Sequence, residues 1–304
     1  MIFPGQGSQS SGMQAELAEA WPVVLETYAE ASEQLGYDLW GLVQNGPAEK
    51  LNETITTQPA MLTAGTAAWR CWLAAGGATP ARMAGHSLGE YTALVAAGAL
   101  NFADAVSLVK RRAELMQEAV PAGTGAMAAV IGLEDFKVLE VCEDASGIGV
   151  AEAVNFNSPG QVVVAGQRPA LERLIVLAKE AGARRSIMLQ VSVPSHSSLM
   201  IPAGMALAES LAETEFRTPE IEVLNSVDAS PYLDADDIRE RLKKQVFSPV
   251  RWVDTTRRLI YEGATSMVEC GPGKVLTGLA RRIDKTVPAV CIDSPESLLK
   301  AIGD

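Results

Sequence analysis

Met83-Ala84-Gly85-His86-Ser87-Leu88-Gly89-Glu90 is the stretch that decides the fold. A short apolar approach runs into Gly85, and Ala-rich helical text follows from Tyr91 to Ala99. A G-x-S-x-G pattern between a strand and a helix is a nucleophile elbow. The turn is so tight that side chains beside the serine would clash, which is why glycine stands on both sides. The serine is held at an unusual backbone angle with its hydroxyl above the sheet. The helix behind it points free N–H groups at developing negative charge. A bare match arises by chance in about one chain in ten of this length; the strand before it and the helix after it make Ser87 the candidate nucleophile.

Outward from the elbow, the text towards the N-terminus is helical. It reads as an amphipathic helix over 13–35 and a buried Ala-, Leu-, Met- and Trp-rich helix over 58–73. Before them lies a Gly-rich turn, Pro4-Gly5-Gln6-Gly7-Ser8-Gln9. Only Ile2 and Phe3 stand between Met1 and that turn, against the ~5–6 residues usual for a strand, so the expectation is either a first strand cut short at its start or a frayed sheet edge. Beyond the elbow a helix over 102–119 ends at Pro121 and Gly123. The texture then changes. Strand-like 127–131, helical 134–142, strand-like 151–154 and 161–165, helical 169–181 and strand-like 185–191 follow in turn. The order β-α-β-β-α-β is the split-βαβ, ferredoxin-like arrangement. The prediction is an α/β protein in which 124–191 form a small ferredoxin-like domain inserted into a large domain made of 1–123 and 192–304. Strand-like 222–224, 266–269 and 289–292 return to the large sheet.

The chain has 304 residues, 48% hydrophobic and 20% charged, an ordinary globular composition able to bury a sizeable core. Nothing approaches the ~18 consecutive apolar residues of a membrane span, and Met1-Ile2-Phe3-Pro4-Gly5 lacks the basic and apolar regions of a secretory signal. A formal net charge of -12 argues against nucleic acid and against an anionic membrane surface as partners. The four cysteines, Cys71, Cys142, Cys270 and Cys291, are scattered with no CxxC, so free thiols in a reducing cytoplasm are expected rather than disulfides or zinc. With two histidines in all, no metal site is expected.

A serine nucleophile needs a base. His86 adjoins Ser87 and in an elbow points away from it. His196, in Val193-Pro194-Ser195-His196-Ser197 after the last strand of the insert, is therefore the base by elimination; the alternative is a surface-loop histidine. No Asp or Glu announces itself as the orienting acid, and a backbone carbonyl can fix the tautomer equally well. Lys110-Arg111-Arg112 lies on a helix, its side chains about 100° apart. At most one or two face a pocket, and the run reads equally well as a solvated helix face.

Six stretches together resemble one family. They are Phe3-Pro4-Gly5-Gln6-Gly7-Ser8-Gln9, Gly85-His86-Ser87-Leu88-Gly89-Glu90, Gln117-Glu118-Ala119-Val120-Pro121, Val154-Asn155-Phe156-Asn157-Ser158-Pro159-Gly160, Val191-Ser192-Val193-Pro194-Ser195-His196 and Glu269-Cys270-Gly271-Pro272-Gly273-Lys274. In order and over nearly the whole chain, they resemble the bacterial malonyl-CoA:acyl carrier protein transacylases of fatty-acid synthesis. The resemblance implies an α/β-hydrolase-like large domain, with Ser87 as nucleophile and His196 as base. It implies an oxyanion hole from the backbone N–H groups of Gln6 and Leu88, and Arg112 paired with the malonyl carboxylate. It also implies that the main-chain carbonyl of Gln245 orients His196, and that Gln58, Met116, Asn157 and Asn225 line or support the pocket. Its partners would be malonyl-CoA, coenzyme A and acyl carrier protein, with no metal or redox cofactor. An acidic carrier would need a local basic patch on an acidic enzyme. Lys274, Arg281 and Arg282 are the candidates, with ordinary solubilising charges as the alternative. The rival functions are a serine thioesterase or hydrolase using the same elbow, an acyltransferase serving a polyketide synthase, and an inactive carrier-binding scaffold.

Overall fold

The computed structural model describes residues 1–121, 123–191 and 193–303; the expected domain limits at 192 and 304 lie outside these. Among the described residues nine strands form two sheets. β1 (Ile2–Phe3), β2 (Arg82–Gly85), β7 (Glu222–Leu224), β8 (Met267–Glu269) and β9 (Ala289–Cys291) make the first sheet. Its order is β7-β2-β1-β8-β9, with every pair parallel. Parallel sheets need covering on both faces. The long helices Thr54–Ala74 and Phe102–Glu118 pack against each other in the main core, while Trp252, Leu276 and Leu279 belong to a second cluster around Ile2 and Ala84.

β1 corrects the expectation of a frayed edge. It is short but central, paired with β2 on one side and β8 on the other. Ile2 and Phe3 are both buried, as suits a strand enclosed on two faces. The expected helix over 13–35 is two helices, Ala15–Ala20 and Val23–Leu35, broken at Trp21-Pro22. Proline supplies no N–H to the preceding turn.

β3 (Gly125–Ile131), β4 (Ala151–Ser158), β5 (Gln161–Gln167) and β6 (Arg185–Met188) make the second sheet, antiparallel, in the order β4-β5-β3-β6. β3 and β4 are joined through the helix Asp135–Ala145 and have β5 between them, which is the split-βαβ pattern. β6 stops at Met188, short of the expected 191. Side chains alternate across this sheet. Ala126, Ala128 and Val130 face the helices Asp135–Ala145 and Arg168–Glu180; Met127, Val154, Val163 and Ala165 form a separate cluster on the other face, with Leu189 and Val191. That second face looks across a cleft to the carboxyl ends of β1 and β2. β4 is tied to the large-sheet part of the chain by Phe156 N–H to Val250 C=O (3.0 Å) and Val250 N–H to Val154 C=O (2.8 Å).

Candidate active site

The elbow forms as its glycines require. β2 ends at Gly85 and the next helix, Gly89–Ala96, starts four residues later. Ser87 between them has φ 52°, rare for a residue with a Cβ. A Cβ on Gly85 would overlap the backbone of Gly89 and Glu90, and one on Gly89 would overlap the Phe3 carbonyl at the end of β1. β1 and β2 therefore bring the turn after β1 against the elbow, where a Cβ on Gly5 would overlap the His86 carbonyl and lie 3.7 Å from Leu88 N. Among the described residues neither Gln6 N–H nor Leu88 N–H has an acceptor, although their neighbours Gly89, Glu90 and Tyr91 do. Free donors of this kind beside a strained serine are what an oxyanion hole needs.

Ser87 and His196 meet across 109 residues of sequence, Oγ to Nε2 at 2.7 Å. On its other side the His196 ring donates from Nδ1 to the Gln245 carbonyl at 2.8 Å, which leaves Nε2 as the unprotonated acceptor. Burial, and then the nearby Arg112 charge, pull the His196 pKa down to about 3, so the ring is neutral at ordinary pH. His196 itself has φ 68°. Its loop is held by His196 N–H to Val246 C=O (3.1 Å) and by Ser198, whose N–H and Oγ both donate to the Glu152 carboxylate at 2.7 Å. His86 turns away from the serine, as expected: its Nε2 lies 2.8 Å from Asn157 Oδ1, and its ring packs against Trp252.

Arg112, on the helix Phe102–Glu118, is 2% exposed, whereas its neighbour Arg111 is exposed and pairs with Glu114. Among the described residues its hydrogen-bond partners are two amide oxygens and a hydroxyl, not a carboxylate. Nη1 donates to Gln58 Oε1 (2.5 Å), and Nη2 to Gln245 Oε1 (2.9 Å) and to Ser87 Oγ (3.4 Å). The buried Nε has no acceptor among the described residues. Gln58 is turned by its own Nε2, which contacts Met116 Sδ at 3.6 Å.

The cleft over Ser87 has a volume of about 410 Å³. Its floor is Ser87, His196 and the Gly5-Gln6-Gly7 turn, and its far wall is Met127, Val163, Leu189 and Asn157 from the small sheet side. Arg112, Gln58 and Met116 are buried and do not line the cleft; Arg112 reaches it through the Ser87 hydroxyl. Asn225, expected to line or support the pocket, is not among the residues that line the cleft. It closes a turn, with Nδ2 donating to Asp228 Oδ1 (2.8 Å) and Ser230 C=O (2.6 Å) and Oδ1 accepting from Val227 N–H (2.9 Å). Its support is indirect, since the adjacent Ser226 hydroxyl donates to Glu90. Of the three cations, Lys274 is exposed and 3.7 Å from Asp293, Arg281 donates to the Ala289 carbonyl (3.0 Å), and Arg282 donates to Gln161 of β5 (2.6 Å). Lys274 and Arg281 share the β9 flank of the helix Val275–Ile283, and Arg282 turns to the small sheet.

Two acidic residues of the site carried no role in the sequence reading, Glu152 and Glu90. Glu90 is fully buried and accepts from Ser226 Oγ, Tyr232 OH (2.5 Å) and Gln245 Nε2 (2.7 Å). The GHSLGE text contains Glu90, but nothing local shows that its partners lie more than 130 residues away.

The model of the acyl transferase domain family matches residues 1–289. The malonyl CoA-acyl carrier protein transacylase of Salmonella typhimurium is 53% identical over 301 residues, 99% of this chain and 97% of that protein. The chain belongs to the malonyl CoA-acyl carrier protein transacylase family. Solved transacylases have the same fold. That of Coxiella burnetii superposes with a TM-score of 0.98 at 47% identity, covering 99% of this chain and 96% of the other. A malonyl-transacylase in complex with its type II PKS acyl-carrier protein gives 0.98 at 51% identity, covering 99% and 98%. Family membership agrees with the resemblance carried by the six sequence stretches. Among the described residues of this transacylase, no helix is long and apolar enough to cross a membrane.

Proposed function

We propose that this chain transfers the malonyl group of malonyl-CoA to the phosphopantetheine thiol of acyl carrier protein in fatty-acid synthesis, by way of a malonyl ester on Ser87. The buried guanidinium of Arg112, 3.4 Å from Ser87 Oγ and without a carboxylate partner among the described residues, carries this reading. A buried cation is costly unless paired. Here the missing partner is supplied by a substrate whose acyl group ends in a carboxylate, held by a planar fork of N–H donors.

Ser87 Oγ attacks the thioester carbonyl carbon, and its proton passes to His196 Nε2. The C–O bond forms as the carbonyl oxygen becomes an oxyanion on the Gln6 and Leu88 N–H groups. Collapse breaks the C–S bond, and the coenzyme A sulfur leaves with the proton from His196. The carrier thiol then gives its proton to His196 and attacks the ester carbonyl; the C–O bond breaks, and Ser87 Oγ recovers the proton. The Gln245 carbonyl steadies the imidazolium formed in each half. Gln58 and Met116 brace Arg112, Asn157 fixes His86 at the cleft wall, and Asn225 shapes the turn behind Glu90.

Residues 1–123 with 192–304 act as the catalytic unit and 124–191 as a small unit closing the cleft; a separate buried cluster on each sheet supports that division. The unpaired thiols of Cys71, Cys142 and Cys270 suit the reducing cytoplasm, the compartment proposed here. A second reading, transfer to a polyketide carrier, is favoured by the relative solved with a type II PKS acyl-carrier protein.

The test is acyl choice. Arg112→Ala should lower the ratio of kcat/KM for malonyl-CoA over acetyl-CoA by about ten- to a hundred-fold, the worth of one charged hydrogen-bonded pair. An unchanged ratio would show that Arg112 does not read the carboxylate.

A further inference from the structure

Glu90 stands three residues after the nucleophile, in the first turn of the helix Gly89–Ala96, and is fully buried. A carboxylate in a first turn suits the helix dipole, but that alone does not require burial among three donors. Its partners reach it from far parts of the chain: Ser226 and Tyr232 beyond β7, and Gln245 at the end of the helix Ala235–Gln245. Burial raises its pKa, and the three donors on its two oxygens pull the other way. The carboxylate is therefore placed independently of the residues that touch substrate.

The Gln245 side chain joins Glu90 to those residues. Its Nε2 donates to Glu90 (2.7 Å) and to the Ser87 carbonyl (2.9 Å), and its Oε1 accepts from Arg112 Nη2 (2.9 Å). An amide has two unlike ends. Turned over, it would set its NH₂ against the guanidinium N–H groups and its oxygen against a carboxylate and a carbonyl. Glu90 thus selects the orientation in which Gln245 presents an acceptor to Arg112. It also places a negative charge one amide away from a buried positive one. A direct bidentate pair would occupy two N–H groups of the guanidinium; the interposed amide takes one Nη2 N–H, and Nε keeps no acceptor among the described residues.

We propose that Glu90 is a positioning residue for the acyl-carboxylate site: through the Gln245 amide it fixes the aim of Arg112, and it supplies the counter-charge without occupying the guanidinium. The proposal rests on the reading that Arg112 receives the malonyl carboxylate. His196 is held by the Gln245 main-chain carbonyl, so loss of Glu90 falls on acyl choice before it falls on the base.

The experiment measures acyl-enzyme formation from malonyl-CoA and from acetyl-CoA, normalised to the titratable serine, in Glu90→Gln, Glu90→Asp, Gln245→Met and Arg112→Ala. Glu90→Gln should lower the malonyl-to-acetyl ratio of kcat/KM at least ten-fold, chiefly through KM for malonyl-CoA, and Glu90→Asp should restore part of it. A purely structural role would lower both substrates together and leave the ratio unchanged, which would overturn the proposal. Gln245→Met keeps the main-chain carbonyl and cuts the link, so it should reproduce the loss. Glu90→Gln added to it should change the ratio no further, and an additive loss would also overturn the proposal. Should Glu90→Gln not fold, a wild-type ratio in Gln245→Met overturns it alone. If Arg112→Ala keeps the ratio, the reading of Arg112 fails. If Arg112→Ala loses it while the Glu90 and Gln245 variants keep it, only the role of Glu90 fails.

Discussion

Ser87 and His196 both hold left-handed backbone angles, 52° and 68°, at the two ends of one 2.7 Å hydrogen bond. Such strain persists where the surroundings over-determine it. His196 is enclosed as well as aimed, and its pKa near 3 has a consequence for pH. The free enzyme carries a neutral base at any pH well above 3, so kcat/KM for acylation by malonyl-CoA should show no acid limb near 6.5 and should persist down to about pH 5. A limb centred near 6.5 would mean that the ring is open to water in the free enzyme. Stability has the same sign. The unfolded chain takes up a proton at an ordinary histidine pKa that folded His196 refuses until about 3. The contribution is therefore complete above 6.5 and is lost as pH falls from 6.5 towards 3. Ser87 was legible in the sequence because its constraints are local, and His196 because only one other histidine competed. The Glu90–Gln245 contact spans 155 residues and left no local mark.

At the scale of elements, the elbow depends on the close approach of β1, β2 and the helix Gly89–Ala96. The glycines at 85 and 89 are places where backbone lies against backbone. Gly85→Ala should cost about 1–3 kcal/mol of stability, as forced overpacking does. It should also remove acylation in the molecules that still fold, because the start of the helix must move away from Ser87. Denaturant unfolding together with serine labelling would check this; a variant of wild-type stability and activity would show that the turn has room to spare. Most strands and the helices around the elbow and in the small domain could be read from alternation and helical spacing, down to β7 at 222–224, whereas the helices Leu39–Asn45, Ile201–Glu213, Ala235–Gln245, Trp252–Tyr261 and Pro295–Ile302 were not placed. The failures have physical causes. β1 is too short for any periodicity to show, and its central place comes from pairing with strands some 80 and 265 residues away in sequence. The break at Trp21-Pro22 lay inside a continuous amphipathic pattern that one proline overrides.

For the molecule as a whole, the cleft between the two sheets has one reactive floor and must serve two thiols in turn. The chain is acidic, at -12, and an acidic carrier would be repelled except at a local patch of opposite sign. Lys274 and Arg281, on one flank of the helix that also sends Leu276 and Leu279 into the cleft, are the cations proposed for that patch, with Arg282 beside the small sheet. Reversing the charge at Lys274 and Arg281 should slow discharge to the carrier and flatten its salt dependence while sparing acylation by malonyl-CoA. Equal loss in both halves would assign these cations to the coenzyme A phosphates instead. All of this depends on one covalent species. Intact-mass measurement after mixing the protein with malonyl-CoA, followed by addition of carrier protein, observes it directly. The mechanism predicts a single malonyl adduct that maps to Ser87, is absent in Ser87→Ala with the fold retained, and passes to the carrier thiol. An adduct that persists in Ser87→Ala, or one released only as free malonate while the carrier stays unloaded, would contradict it.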